Sequence, residues 1–222
     1  MNLPSYLLTR PDIDDSEATL TSFDQLFERQ VVGASGESIE YSLSTPKWQF
    51  LNYLCDFKDV VVHGSGNPDI DVFEPRKSND AKEFGDQQAV YAASDGIWAA
   101  YYAILDRDRY VRSLVNTCQK VDLPDGGVES VYYFSINDDA LPKNPWRTGT
   151  IYILPRATFE NEPAEPGRKS AQWRSFDPVR PFAKISIEPQ DFPFLDQIHG
   201  HDTENVIRRS KDDPDGFPWI DE

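Results

Sequence analysis

The sequence predicts an α+β fold with a mixed or mainly antiparallel sheet. Helical patterns come mostly in the first half of the 222-residue chain, and strand patterns come mostly after them. Strands that follow helices, and do not alternate with them, argue against a doubly wound parallel sheet. With 39% hydrophobic residues, the chain can bury one sizeable core or form one domain with an extra lobe.

Two helices are predicted near the start of the chain. The segment SFDQLFERQ spaces its apolar residues three and four positions apart, as one face of a helix requires. The segment STPKWQFLNYLCDF is a stronger pattern, because Thr45 is a candidate N-cap and Pro46 suits the first helical position. Residues 1–44 are otherwise polar and acidic, so we expect a separate N-terminal segment with one short helix.

Two buried strands are predicted on either side of an irregular loop. DVVVHG is a short apolar run that ends at a glycine, and AVYAAS is a second run of the same kind. The linker between them holds Pro68, Pro75 and Gly85, which indicates an ordered loop without regular structure.

A third helix and three further strands complete the predicted domain. Ser94-Asp95 is a candidate cap for a helix over DGIWAAYYAILDRDRYV. The strand candidates that follow are SVYYFSI, GTIYILPRATF and RPFAKISIEP. The end of the chain is predicted to be loop and tail. We therefore expect one domain over residues 45–198 and a C-terminal tail over residues 199–222.

The charge of the chain disfavours nucleic acid as a partner. Its formal net charge is −16, and such a field repels a polyanion unless a local basic patch overcomes it. The densest basic group, formed by Arg107, Arg109 and Arg112, is predicted to be the exposed end of a helix.

A cytoplasmic location is expected. The chain has no run of apolar residues long enough for a membrane span, and its N-terminus does not resemble a secretory signal. Cys55 and Cys118 lie far apart in the sequence, so we expect them to be reduced core residues and not a disulfide framework or a metal site.

The segment HGHD is the one sequence pattern that suggests a metal site. His199 and His201 are spaced as neighbours on one face of a strand and, with Asp202 close by, have the residue types of a zinc site. The glycine between them and the polar surroundings equally suit a solvated loop. The second interpretation is preferred, and no metal is predicted.

The segment VVVHGSGNPDI places one of the three histidines where a buried strand opens into a glycine-rich turn. Its G-x-G has no third glycine and no amphipathic helix after it, so it is neither a dinucleotide fingerprint nor a P-loop. Ser65 lies close to His63, but the sequence around it is not the G-x-S-x-G of a nucleophile elbow. Glycines here would still let a ligand approach the backbone closely.

VVVHGSG, followed later by AVYAASD at the start of a helix, resembles the histidine-tyrosine-glutamate branch of the ADP-ribosyltransferase superfamily. The resemblance extends over residues 58–190. It implies two small, split β-sheets with a cleft between them, and an N-terminal helical region packed alongside. It also implies that the ligand is NAD, which serves as a substrate.

The resemblance implies a role for each motif residue. His63 would hydrogen-bond the ribose next to nicotinamide, and Gly64 would present its backbone to the nicotinamide carboxamide. Ser65 occupies the Ser/Thr position of the motif. Tyr91 would stack on the nicotinamide ring, and Ser94 would lie near the ribose. These roles suit the groups, because an aromatic face holds a flat ring and an imidazole can donate to or accept from a sugar hydroxyl.

Each of these residues also has an ordinary structural interpretation. His63 suits a turn histidine bonded to backbone, and Tyr91 suits a strand core. Arg76, in FEPR, is a candidate contact for the NAD pyrophosphate, but a structural salt bridge is the preferred interpretation. Trp98 and Trp173 are expected to be core aromatics.

The third motif departs from the family pattern. Where the superfamily has a Glu at the start of a late strand, the matching position here is Gln172, in SAQWRSFDPVRPFAKISI. An amide can orient a ribose hydroxyl but cannot stabilise a developing oxocarbenium ion, and losing such a group costs on the order of 10²–10³ in rate. Glu188 and Glu129 are alternative carboxylates that fit the pattern less well. The departure predicts transfer of single ADP-ribose units at most.

Three functions follow from these observations. The leading prediction is NAD-dependent mono-ADP-ribosylation of a protein or small-molecule acceptor by His63, Tyr91 and Gln172. The second is a catalytically inactive NAD- or nucleotide-binding module of the same fold, which Gln172 favours. The third is an activity like that of the RNA 2'-phosphotransferases, which the acidic chain disfavours.

Overall fold

The computed structural model of the chain describes residues 3–78 and 83–220. Within these ranges the chain forms two mostly antiparallel β-sheets and four α-helices, so the predicted α+β class is confirmed. The helices are α1 (Glu17–Gln30), α2 (Lys47–Phe57), α3 (Gly96–Ile104) and α4 (Thr203–Asp212). Within the same ranges, no helix has the length and apolar character that crossing a bilayer would require.

Thirteen strands make up the two sheets in the described part of the chain. They are β1 (Leu8–Thr9), β2 (Glu37–Ser38), β3 (Val60–Ser65), β4 (Arg76–Lys77), β5 (Gln88–Ala93), β6 (Leu114–Asp122), β7 (Val128–Asn137), β8 (Gly149–Pro155), β9 (Glu160–Asn161), β10 (Arg168–Ser170), β11 (Gln172–Ser175), β12 (Ala183–Ile187) and β13 (His199–His201).

The first sheet is built on the long hairpin of β6 and β7. Its strand order is β1-β7-β6-β10, and β13 joins it by pairing with β7. The second sheet has the order β2-β12-β8-β3-β5-β11-β9, and β4 pairs with β5. All pairings are antiparallel except those of β2 with β12 and of β13 with β7.

Helix α3 lies between the two sheets and forms the centre of the main core. Tyr101 in α3 is fully buried and donates a hydrogen bond from its hydroxyl to the carbonyl oxygen of Ser135 in the first sheet. On its other side α3 packs on β3 and β8, where Gly64 and Gly149 have no side chain to keep the backbones apart. Each sheet therefore presents one face to the same helix.

Both N-terminal helices form where the sequence predicts them, and they pack onto this core. Phe23 of α1 contacts the rings of Phe50 and Tyr53 of α2, and α2 in turn contacts α3 and β3. Pro46, and not Thr45, is the residue that precedes the first turn of α2. Eight consecutive residues of α2 are buried, because α1, α3 and β3 cover the helix on several sides.

Two sequence-based expectations about elements are wrong, and the long strand β6 was not predicted. Helix α3 ends at Ile104 because Leu105 leaves the helix and forms a bridge to Trp146. Strand β6 was not predicted, since its mixture of polar and apolar residues lacks a clean alternation. The C-terminal part is not a tail without regular structure: β13 extends the first sheet, and α4 follows it.

Candidate functional site

A cleft opens where β3 and β5 separate. In the described chain these strands pair at one position, Val62 with Ala93, and beyond it a cavity of about 780 Å³ lies between them. Consecutive residues of both strands line this cavity. Because successive side chains of a strand point to opposite faces, a continuous lining means that the strand edges themselves face the cavity.

The structure brings most of the predicted site residues to this cavity. The predicted residues among its lining are His63, Gly64, Ser65, Arg76, Tyr91 and Gln172. They come from four different strands, β3, β4, β5 and β11. Their convergence is a tertiary feature, because β11 reaches the site only by pairing along β5.

His63 bridges the two diverging strands. Its Nδ1 lies 2.7 Å from the carbonyl oxygen of Tyr91, and since a carbonyl only accepts, this nitrogen carries the proton. Burial of the ring lowers the pKa of His63, the hydrogen bond to Tyr91 partly opposes that shift, and the nearby Arg76 adds to it. The ring is therefore neutral, and its Nε2 is an acceptor for a ligand hydroxyl. His63 can therefore bond to the backbone through Nδ1, as the sequence suggested, and still bind a ligand through Nε2.

Both glycines of this segment are in close contact with neighbouring groups. A Cβ on Gly64 would overlap the carbonyl oxygen of Ala99 in α3. A Cβ on Gly66 would overlap the guanidinium of Arg147. Close approach of a helix and of an arginine therefore explains both glycines without a ligand. The side chain of Ser65 accepts a hydrogen bond from the backbone N–H of Asn67 and stabilises the same turn.

Tyr91 holds the loop that precedes its strand. Its hydroxyl accepts a hydrogen bond from the N–H of Gln87 at 2.8 Å and lies 3.1 Å from the carbonyl oxygen of Phe84. Tyr91 lines the cavity, but its hydroxyl is committed to residues 84–87. The structure therefore adds a positioning role to the ring-stacking role that the resemblance implies.

Gln172 lies at the start of β11, directly across from Ala93. Its backbone N–H donates to Ser170 Oγ, and its carbonyl oxygen accepts from Asn161 and Glu162. Its side-chain amide has no hydrogen-bond partner within residues 3–78 and 83–220, so it remains available to a ligand in the cavity.

Three other predicted residues lie elsewhere. Ser94 is not among the residues that line the cavity; its N–H donates to the carbonyl oxygen of Ala171, just before the cap of α3. Glu129 lies in the first sheet, and its carboxylate accepts from the N–H of Ser130. Glu188 accepts from the hydroxyl of Thr148. Neither carboxylate lines the cavity, so neither replaces the missing motif glutamate there.

Two aromatic residues of the cavity wall were not predicted from the sequence. Trp98 and Tyr102 of α3 line the cavity, and both bond to the same oxygen, Asn116 Oδ1, at 2.6 Å and 3.0 Å. Trp98 is mostly buried as expected, but one side of it faces the cleft. The i, i+4 spacing of Trp98 and Tyr102 could have predicted that they share one face of the helix. The core-facing pattern of the same helix, which includes Ile97 and Tyr101, obscured that spacing in the sequence.

The cavity is cationic although the chain is acidic. Among the residues that the structure describes, its charged lining consists of four cations, Arg76, Lys77, Arg107 and Arg147, and two carboxylates, Glu74 and Asp108. Arg76 has no ion pair with any residue of the described ranges, so the salt bridge that the sequence allowed is not found there. An excess of positive charge in a cleft attracts anionic ligands by raising their local concentration.

The histidines of HGHD take part in packing and hydrogen bonding. His201 is buried, with Nδ1 2.6 Å from Ser135 Oγ and Nε2 2.9 Å from Ser113 Oγ. His199 stacks on Tyr133 with ring centroids 5.3 Å apart, and Asp202 caps α4. Among the described residues, no cluster of three or more His, Cys, Asp or Glu is arranged to hold a metal ion.

The cysteines are buried in the main core as predicted. Cys55 and Cys118 are both free, and burial raises the pKa of each thiol well above its usual range. Neither thiol is therefore an activated nucleophile.

Compared with known protein families, with curated proteins and with solved structures, the chain shows no match.

Proposed function

We propose that the protein binds NAD in the cleft between β3 and β5 and transfers its ADP-ribose to a protein or small-molecule acceptor. The observation that carries the proposal is the convergence of His63, Tyr91 and Gln172 on one cavity from three separate strands. The size of the cavity, about 780 Å³, lies within the usual range for sites of small molecules and cofactors.

Each part of NAD has a matching group in the cleft. The nicotinamide ring is flat and carries a delocalised positive charge, so it suits stacking and cation–π contact with the aromatic residues Tyr91, Trp98 and Tyr102 among the lining. The adjoining ribose hydroxyls suit the neutral acceptor at His63 Nε2 and the unpaired amide of Gln172. The pyrophosphate is anionic and suits the cationic lining.

The reaction is a substitution at the anomeric carbon of the nicotinamide ribose. The bond from this carbon to the ring nitrogen breaks, its electron pair leaves with neutral nicotinamide, and an acceptor nucleophile forms the new bond and loses its proton. His63 and Gln172 orient the ribose. Neither supplies a negative charge to the developing cation, so we expect slow turnover.

A nucleotide-binding module without catalysis is the second candidate. Gln172 favours it, because an amide retains the hydrogen bond to a ribose hydroxyl while the charge that speeds bond cleavage is missing. An activity on RNA remains the weakest alternative, since the net charge of −16 repels a polynucleotide even though the cavity itself is cationic.

The test measures nicotinamide release and thermal stabilisation by NAD in the same samples. A transferase shows both, and His63→Ala abolishes both. His199→Ala is the matched control, because this histidine stacks on Tyr133 in the other sheet and should leave both unchanged. Gln172→Glu should raise release by roughly 10²-fold, since one such group is worth that order in rate.

The outcomes separate the candidates. Stabilisation by NAD without release, in both the natural protein and Gln172→Glu, supports the binding module. If millimolar NAD produces neither effect and no other nucleotide stabilises the protein, the proposal is wrong.

A further inference from the structure

The Gly66 end of the cavity contains an arginine that is seated against the backbone. The guanidinium of Arg147 occupies the space that a side chain at residue 66 would need, and its Nη2 is the atom nearest to that position. Arg147 can therefore lie at this place in the cavity wall because residue 66 is a glycine. The sequence motif suggested a close approach of ligand to backbone at this turn, and the structure shows an arginine there.

Arg147 is held in place without using all of its donors. Its Nη1 donates to Asp108 at 2.7 Å, and its backbone N–H donates to the carbonyl oxygen of Ile104 at 2.8 Å. Its side chain is 26% exposed, and its Nε is buried without a hydrogen-bond partner within the described ranges. The cation is thus fixed at one end, while Nη2 points towards the turn at Gly66. A group that is already positioned loses little entropy when a ligand binds.

Arg107 adds a second cation to the cavity lining and is next in the chain to Asp108, the partner of Arg147. It lines the cavity three residues after the end of α3, and its guanidinium makes no ion pair with residues 3–78 or 83–220. Asp108 neutralises part of the charge of Arg147 but is itself exposed. Two guanidiniums against one carboxylate leave these three residues with a net positive charge.

We propose that Arg107 and Arg147 form the diphosphate-binding subsite of the cleft, with a nucleoside diphosphate as its class of ligand. This inference rests on the proposed function, because the diphosphate is that of NAD or of its ADP-ribose part. A planar guanidinium matches the spacing of phosphate oxygens and binds two of them at once. The subsite lies beside His63 and Ser65 along β3, so a ribose at His63 and a diphosphate at Gly66 follow the same strand.

Arg76, which the sequence suggested for this role, is less suited to it. It lies on the two-residue strand β4, is exposed, and has no partner in the described chain that orients its guanidinium. Its neighbour Lys77 is already paired with Asp86. Binding a phosphate there would require ordering an exposed side chain, which opposes binding.

The experiment compares ligands that share the diphosphate with ligands that lack it. Binding of ADP, inorganic pyrophosphate and adenosine is measured by calorimetry on the full chain. Arg147→Gln and Arg107→Gln should each lower the affinity for ADP and for pyrophosphate by about tenfold. This is the order expected for losing a charge-assisted hydrogen bond. Adenosine should bind equally well to all variants.

Two further variants separate a built site from a general effect of charge. Arg109→Gln removes the same charge from a side chain that is 76% exposed and does not line the cavity, so it should change pyrophosphate affinity by less than about twofold. Gly66→Ala changes no charge but displaces the guanidinium, so it should weaken pyrophosphate as Arg147→Gln does. Where Arg147→Gln fails to fold, Arg147→Lys keeps the charge and loses the planar fork, and it should also weaken ADP.

The proposal is overturned if the natural protein binds neither ADP nor pyrophosphate, if Arg109→Gln weakens them as much as Arg147→Gln, or if Arg76→Gln alone abolishes binding. Failure of the proposed function looks different. If pyrophosphate binds and depends on Arg147 but NAD does not bind, the subsite stands and the NAD proposal fails. If NAD releases nicotinamide and Arg147→Gln leaves its affinity unchanged, the subsite is wrong and the function stands.

Discussion

Gly64 shows how one residue can satisfy a functional pattern for a structural reason. Its place in HGSG suggested that a ligand approaches the backbone, yet the atoms that exclude a side chain belong to α3. The contact is with the carbonyl oxygen of Ala99, a backbone atom that cannot rotate away. The residue is therefore required for the helix to pack on the sheet, whatever binds in the cleft.

Gly64→Ala should destabilise the protein strongly. The added methyl group forces α3 away from β3, and overpacking of this kind costs about 3 kcal/mol in the free energy of unfolding, which lowers Tm by about 6–12 °C in a protein of this size. Thermal unfolding without ligand measures the effect. Gly127→Ala is the control, because its nearest atom is the flexible carboxylate of Asp125 at a turn, and it should change stability by less than about 0.5 kcal/mol. Equal melting temperatures for the two variants would contradict the packing explanation.

Helix α3 is the element that connects the fold to the site. Its N-terminus is capped by Asp95, whose carboxylate accepts from the N–H of Trp98 at 2.9 Å and from the hydroxyl of Tyr132 at 2.7 Å. Asp95 is almost fully buried, and burial raises its pKa while the two hydrogen bonds oppose that shift. One carboxylate thus joins the helix that lines the cavity to the first sheet.

Asp95→Ala should cost more than the same change at an exposed cap. It removes a helix cap, which lowers the free energy of unfolding by about 1 kcal/mol. It also leaves the buried hydroxyl of Tyr132 without an acceptor, which lowers this free energy by about 2 kcal/mol more. Asp202 caps α4 at the surface by accepting from the N–H of Asn205 at 2.7 Å, so Asp202→Ala should cost only about 1 kcal/mol. Urea unfolding of both variants provides the measurement. A loss for Asp95→Ala no greater than that for Asp202→Ala would contradict the double role of Asp95.

The molecule as a whole is negatively charged, whereas its cleft has an excess of positive charge. The chain has a net charge of −16, while four of the six charged residues that line the cavity in the described part of the chain are cations. Like charges on the surface repel each other and destabilise the compact state, whereas the cleft attracts anions. Salt screens both effects, so stability and anion binding should respond to it in opposite directions.

Raising NaCl from about 10 mM to about 150 mM shortens the Debye length from about 30 Å to about 8 Å. The melting temperature of the free protein should rise over this range, because repulsion within the acidic surface is weakened. The affinity for ADP should fall over the same range, because attraction to the cationic lining is screened. Thermal unfolding and calorimetry in the same buffers measure the two trends. An affinity for ADP that rises with salt would contradict a cationic binding site.

Local patterns were enough to predict the elements on which the cleft is built. The apolar run that ends at His63, the second run around Tyr91 and the cap at Asp95 all follow from contacts between residues a few positions apart, and β3, β5 and the start of α3 form where the sequence predicts them. The α+β class followed in the same way, from the order of these patterns. The ligand, the reaction and the relation to ADP-ribosyltransferases remain predictions.

Only the tertiary structure decided what surrounds the cleft. Arg147 meets Gly66, Asn116 fixes Trp98 and Tyr102, and Gln172 comes within reach because β11 pairs with β5. In the folded chain Ser94 lies outside the cavity, and both ring nitrogens of His201 are within hydrogen-bond distance of serine hydroxyls. These contacts join residues far apart in the chain, so no local periodicity encodes them. They are set by how the two sheets close around α3, since close packing determines which distant side chains meet.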